Sequence, residues 1–250
     1  MAERALLIVV GLTGVGKSTT LEALRAAVPG ARLLPNRRAL ADALVLPEAQ
    51  RLEGEPQQPV GDRLERFRLS ARYRRAHPGG MAHALQRFLT SDAPGTGDAP
   101  LTLFDNLRGA EEVGYAVQAF DDARFVALEA PAAVRVLRLA GRRDAFDHVD
   151  AGAAAHRAGR APGHDALLER LRRIEGLERL ADLPRLAADA AGLDPDAVET
   201  GARVVAEESL HYDPVAAWRR LEPLPERRRL RLDSGRLDPR EVVERLASWL

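Results

Sequence analysis

The chain has 250 residues, 37 basic and 37 acidic side chains, six His and no Cys, and 46% of it is hydrophobic. A formal net charge of zero argues against a protein whose main work is coating nucleic acid, which usually carries a strong positive excess. The absence of Cys excludes disulfide frameworks, thiolate zinc sites, iron–sulfur clusters and thiol nucleophiles, and is consistent with a reducing cytoplasm.

The first apolar run, Ala-Leu-Leu-Ile-Val-Val at residues 5–10, falls far short of the roughly 20 residues a membrane-crossing helix needs. It ends in a glycine-rich turn instead of a small-residue cleavage site, so neither a membrane partner nor a signal peptide is expected. The run reads as a strand buried on both faces. Gly11-Leu12-Thr13-Gly14-Val15-Gly16-Lys17-Ser18 follows at once and has the spacing G-x-x-x-x-G-K-[ST]. Leu21, Leu24 and Val28 then predict a helix over residues 17–28, stopped by Pro29-Gly30. Strand, loop and helix stand in the order the pattern requires.

Each residue type in that octad has a physical task. Glycines let backbone N–H groups converge on phosphate oxygens without steric penalty. The following helix aims its N-terminal amides and positive dipole end at the anion. Lys17 is placed to reach the β- and γ-phosphates, and the Ser18 hydroxyl to coordinate Mg²⁺. Of the 37 basic residues 36 are Arg, and the single Lys of the chain is Lys17. On Gly11, Gly16, Lys17 and Ser18, with Thr19 completing the G-K-S-T variant, the sequence resembles the P-loop NTPase superfamily. The resemblance implies an ATP tail cradled by Gly11, Thr13, Gly14, Val15, Gly16, Lys17, Ser18 and Thr19, with Mg²⁺ as the accompanying ion.

Residues 31–34 suit a second short strand. Residues 36–98 are far longer than a simple connection and carry Arg63, Arg66 and a cluster at Arg72, Arg74 and Arg75, with apolar positions that predict packed helices. That pattern suits an amphipathic insertion with a solvated basic side; a resemblance to P-loop kinases implies, equally, that these arginines contact an anionic acceptor. Residues 101–104 read as a third strand ending in Asp105-Asn106-Leu107-Arg108-Gly109. Groups at the carboxyl ends of parallel strands line the ligand crevice, so Asp105 is a candidate metal-shell ligand or base, although an Asx turn would use it too. A helix over 110–119 and a strand over 124–128 follow, and Pro131 opens a further helix carrying Arg135, Arg138, Arg142 and Arg143. Residues 230–232 read as a last strand, and Asp238, Pro239 and Glu241 mark the start of a closing helix. The alternation predicts an α/β fold: a three-layer α/β/α sandwich with a mostly parallel five-stranded sheet.

The stretch 105–112, the strand end Leu128-Glu129-Ala130-Pro131 and the Arg-rich helix after it resemble nucleoside-monophosphate-kinase-like phosphotransferases, dephospho-coenzyme-A-kinase-like P-loop kinases in particular. The resemblance implies one domain over 1–250, with an acceptor-binding insertion at 36–98 and a lid with helical insertion at 141–228. It implies that Arg138, Arg142 and Arg143 close on the phosphates, and that Arg108 holds the acceptor's phosphate. A planar, permanently charged guanidinium suits the charge spread over a phosphoryl transition state. Residues 166–183 carry Leu167, Leu171, Ile174 and Leu180 at helical spacing, and Asp194-Pro195 starts a helix with Val198, Ala202 and Val205 on one face. None of the six His has a metal-binding spacing.

The leading expectation is a cytoplasmic, ATP- and Mg²⁺-dependent phosphotransferase for a small acceptor, with no motif that sets an oligomeric state. A 5′-end kinase for nucleic acid is disfavoured by the zero net charge and an aromatic content of 4%. A nucleotide-sensing module that moves a lid for a partner is the non-enzyme alternative.

Overall fold

The computed structural model of the chain describes residues 5–91, 99–141 and 164–250. Five strands, β1 (Ala5–Val10), β2 (Arg32–Leu33), β3 (Leu101–Leu107), β4 (Arg124–Glu129) and β5 (Arg229–Asp233), form one open sheet in the order β2-β3-β1-β4-β5. Every pairing is parallel, so the sheet is more uniform than the mostly parallel one expected. Between β1 and β2 runs α1 (Lys17–Ala27). Between β2 and β3 lie α2 (Arg37–Leu40), a π-helical turn (Ala41–Val45), α3 (Leu46–Glu53), α4 (Arg63–Ala76) and α5 (Gly80–Thr90). Then come α6 (Ala110–Ala119), α7 (Ala132–Ala140), α8 (His164–Arg172), α9 (Leu183–Asp189), α10 (Pro195–His211), α11 (Pro214–Leu221) and, after β5, α12 (Pro239–Trp249).

Period-two alternation sorts the strand residues onto two cores. Leu7 and Val9 of β1, Leu103 of β3, and Val126 and Leu128 of β4 pack with Leu21 and Leu24 of α1 and Val242 and Leu246 of α12. Ile8 and Val10, Phe104, Phe125 and Ala127 face the other way, against Val113 and Ala116 of α6 and Ala217 and Leu221 of α11. Apolar cores on both faces are consistent with three layers, helix, sheet and helix. Leu21 and Leu24 are almost wholly buried, which stabilises each by roughly 1.5–3 kcal/mol relative to exposure and fixes α1 on the sheet. A third core joins Val136 and Leu139 of α7 to Leu167 and Leu171 of α8, Leu186 of α9, and Val198, Ala202 and Val205 of α10. Among the described residues, no helix is long and apolar enough to cross a membrane.

Two sequence expectations change in detail. β3 does not end at Phe104 but runs on to Leu107, so Asp105 lies within the strand. Val9 faces Asp105 while Val10 faces Leu107, which makes Asn106 an inserted bulge residue with φ of 92°. Asn is among the few residues that tolerate that left-handed conformation. The apolar stripe over 166–183 is not one helix: α8 stops at Arg172, Gly176 turns the chain with φ of 78°, and Leu180 is left exposed. The helix expected after Asp194-Pro195 and the Asp238/Glu241 start of α12 both form, the latter as a reciprocal capping box. Arg142 and Arg143, and the centre of the expected lid at 142–163, lie outside the described residues.

Candidate functional site

β1 lies at the centre of the sheet, with β3 on one side and β4 on the other, and its carboxyl end is the point from which successive connections diverge. Ligand crevices of parallel sheets form at such points. The glycine-rich loop starts there and turns through Gly14 (φ 86°) and Gly16 (φ 89°) into α1. A Cβ on Gly14 would sit 3.0 Å from the carbonyl oxygen of Arg135, so the loop and α7 touch at a position where any side chain is strained.

Gly16 is the N-cap residue of α1 and provides no side-chain hydrogen bond, and the first turn holds no acidic residue. The first helical hydrogen bond runs from the Thr20 N–H to the Gly16 carbonyl at 3.0 Å. The amides of Lys17, Ser18 and Thr19 precede it and belong to the unsatisfied positive end of the helix. The side chains of Ser18 and Thr19 are exposed there.

Lys17 behaves differently. It is only 6% exposed, and its ammonium donates to the Leu12 carbonyl at 2.7 Å inside the loop. Burial pushes its pKa down to about 7. The Asp105 carboxylate is the strongest opposing influence, Arg108 and Arg135 reinforce the fall, and Glu208 resists it. The structure therefore brings Lys17, Asp105 and Arg108, three of the residues singled out in the sequence, into one electrostatic group.

Two members of that group were not foreseen as site residues. Glu208 of α10 is 6% exposed, and its Oε2 accepts from the Thr13 N–H at 3.0 Å. Its Oε1 accepts from the Thr13 hydroxyl at 2.6 Å and from Arg108 Nη1 at 2.6 Å. Arg135 of α7 donates from Nη2 to Glu208 Oε2 at 2.5 Å and from Nε to the Thr13 carbonyl at 2.7 Å. Burial lowers the pKa of Arg135 and the charge of Glu208 partly offsets that. The available sequence signal was a charged residue on an apolar stripe: Glu208 extends the line Val198, Ala202, Val205, and Arg135 lies next to buried Val136 and four residues before Leu139.

Arg108 is further oriented by the bulge, because its Nε donates to Asn106 Oδ1 at 2.9 Å. Beneath it, Glu112 accepts from both terminal guanidinium nitrogens of Arg37, at 2.7 and 2.8 Å, and from the amide of Arg108 at 3.3 Å. Burial would raise the Glu112 pKa, but the charge and hydrogen bonds of Arg37 outweigh it and hold the carboxyl below its ordinary value. That pair fixes the start of the 36–98 insertion to α6. Arg138, expected on a lid, belongs to the packed helix α7 and donates to the Gly14 carbonyl at 3.3 Å and to the Ser234 carbonyl at 2.5 Å. Arg66 braces the insertion internally, through Asp42 at 2.5 Å and the Val60 carbonyl at 2.9 Å.

Two cavities adjoin the loop. One of about 290 Å³ opens over the carboxyl ends of β4 and β5, beside Leu12, Val15, Leu128 and Arg135. The other, about 210 Å³, is walled by Gly16, Thr19, Arg138, Ser234 and Leu237. Among the described residues no group of three or more His, Asp or Glu side chains gathers as a metal site. No protein-family model matches the chain, and no curated protein matches it.

Proposed function

We propose that the chain is an ATP-binding, Mg²⁺-dependent phosphotransferase of the P-loop type, acting on a small acceptor. One observation carries this reading. The G-x-x-x-x-G-K-S octad joins the carboxyl end of the central parallel strand to a helix whose N-terminus has no cap of its own, with the chain's single Lys held inside the loop. Such a junction offers convergent amides, a dipole and an ammonium to a phosphate chain.

In this reading the amides at 14–19 receive the β- and γ-phosphates, and Lys17 swings from the Leu12 carbonyl to a phosphate oxygen. The cavity beside Gly16, Thr19 and Arg138 receives the nucleoside end. Ser18 and Asp105 offer hydroxyl and carboxylate oxygens, the hard donors that suit a small divalent cation retaining most of its water. Bound there, Mg²⁺ would offset phosphate charge. Arg108 and Arg138 would stabilise the transferring group with fixed guanidinium charge.

The test is ADP formation from ATP and Mg²⁺ across a panel of nucleotides, coenzyme precursors and hydroxylated metabolites. An acceptor-dependent rise is expected, and the absence of any acceptor effect would refute the transferase assignment. The nucleotide-sensing alternative draws support from the third helical core, which reaches the loop through Glu208. Tight ATP binding with negligible turnover and ATP-dependent capture of a partner would favour it.

A further inference from the structure

The carboxylate of Glu208 has the surroundings of a bound phosphate. Its donors are a glycine-loop amide, a hydroxyl and two guanidinium groups, with distances between 2.5 and 3.0 Å for the four best. Guanidinium groups and backbone amides are the usual partners of phosphoryl oxygens. Glu208 also stands in the last turn of α10, the negative end of a helix dipole, where a carboxylate is disfavoured on local grounds. It is held by the loop and the two arginines, not by its own helix. From Thr13 it is separated by 195 residues of chain.

We infer that Thr13, Arg108 and Arg135 form a phosphoryl subsite, and that Glu208 is an internal anion that occupies the subsite until a phosphate group replaces it. The inference rests on the loop being a phosphate site, as proposed above, and adds how that site is kept and opened. A carboxylate is planar and offers two oxygens, and each already accepts from at least two donors. A phosphoryl group offers three, enough to keep the same donors and to take Lys17 as well. With Glu208 withdrawn, Lys17, Arg108 and Arg135 against Asp105 leave a surplus of positive charge that a phosphate dianion neutralises better than a monovalent carboxylate. Displacement also returns Glu208 to solvent, close to the exposed residues Leu210 and His211. Phosphate entry is thereby coupled to release of the α10 C-terminal turn.

Calorimetric titration of the full chain with inorganic tripolyphosphate, orthophosphate and ATP tests the inference. Glu208→Gln is expected to bind tripolyphosphate at least tenfold more tightly than the wild type, since the competing charge is gone. Glu208→Asp, which keeps the charge but withdraws it by one methylene, should show a smaller gain of the same sign. A gain with orthophosphate as well assigns the subsite to a lone phosphate, such as an acceptor's, whereas a gain confined to tripolyphosphate assigns it to the triphosphate tail. Equal or weaker binding of every anion by folded variants overturns the inference and leaves Glu208 as a brace for the arginines.

Because Glu208→Gln deprives Arg135 of its carboxylate partner, a readout on the wild type guards against a folding defect. Saturating tripolyphosphate should accelerate amide exchange at residues 205–211, and unchanged or slower exchange overturns the inference. If the variants gain affinity for tripolyphosphate and ATP binds neither them nor the wild type, the nucleotide assignment fails while this inference stands. If ATP binds the wild type and both variants alike, the inference fails and the nucleotide assignment stands.

Discussion

α1 and α12 lie side by side on one face of the sheet and share a core, yet their N-termini are built in opposite ways. α12 begins with Asp238 accepting from the Glu241 amide at 2.8 Å, while the Glu241 side chain accepts from the Asp238 amide at 2.8 Å, with Pro239 at the first turn. Its free amides are closed by its own carboxylates. α1 begins with a left-handed glycine and no side-chain cap. The nearby carboxylate that does touch the loop, Glu208, comes from another helix. The contrast separates a helix start shaped for stability from one that, with glycine at its cap, forgoes roughly a few tenths of a kcal/mol to leave its amides open to a ligand.

The largest effect that can break this comparison comes from Lys17→Ala. ATP and tripolyphosphate affinity should fall by roughly two orders of magnitude, about 3 kcal/mol for a lost charged contact, in a calorimetric titration. The melting temperature should not fall, because burial already disfavours this ammonium. Unchanged affinity would remove the loop from consideration as an anion site.

Gly14→Ala comes next. The added methyl would require a left-handed φ of 86° and would meet the Arg135 carbonyl at 3.0 Å. A loss of roughly 2–3 kcal/mol is expected, seen as a melting temperature lower by about 5–10 °C. A variant with wild-type stability would show that the contact between the loop and α7 is loose.

The third effect depends on pH. The Lys17 pKa is depressed to about 7 from 10.5, so between those values the unfolded chain holds the extra proton. Stability from this group should rise as pH increases through that window, and its burial penalty is full below about 7. Phosphate binding requires the ammonium, so tripolyphosphate affinity should drop by about tenfold per pH unit above roughly 7. Lys17→Arg, which stays charged, should flatten that slope, and an equally steep slope in the variant would assign the titration elsewhere.

The smallest effect sharpens the other side of the comparison. Asp238→Ala should cost about 1 kcal/mol, a fall of roughly 2–4 °C in melting temperature, with tripolyphosphate affinity unchanged. A loss of affinity in that variant would mean the two helix starts are not separable.

The parts of the molecule legible from sequence are those with local causes. The β1–loop–α1 unit followed from an apolar run, fixed glycine positions and helical spacing, and the α12 start from Asp, Pro and Glu at set offsets. β3 was cut short because an Asn bulge looks like a turn until the neighbouring strand supplies its register. The 166–183 stripe failed at Gly176, where backbone geometry overrode periodicity. Arg135 and Glu208 escaped notice for a different reason. They are 73 residues apart, and with 36 Arg in the chain no local pattern marks which of them is buried against a carboxylate. Only the charged residues interrupting apolar helix faces hinted at it.

The solitary lysine has a practical corollary. Amine-directed reagents find one side-chain target in this protein, and that target is shielded inside the loop while being close to half neutral near pH 7. Its labelling rate would therefore act as a built-in gauge of loop occupancy, read from a single peptide by mass spectrometry without any engineered tag.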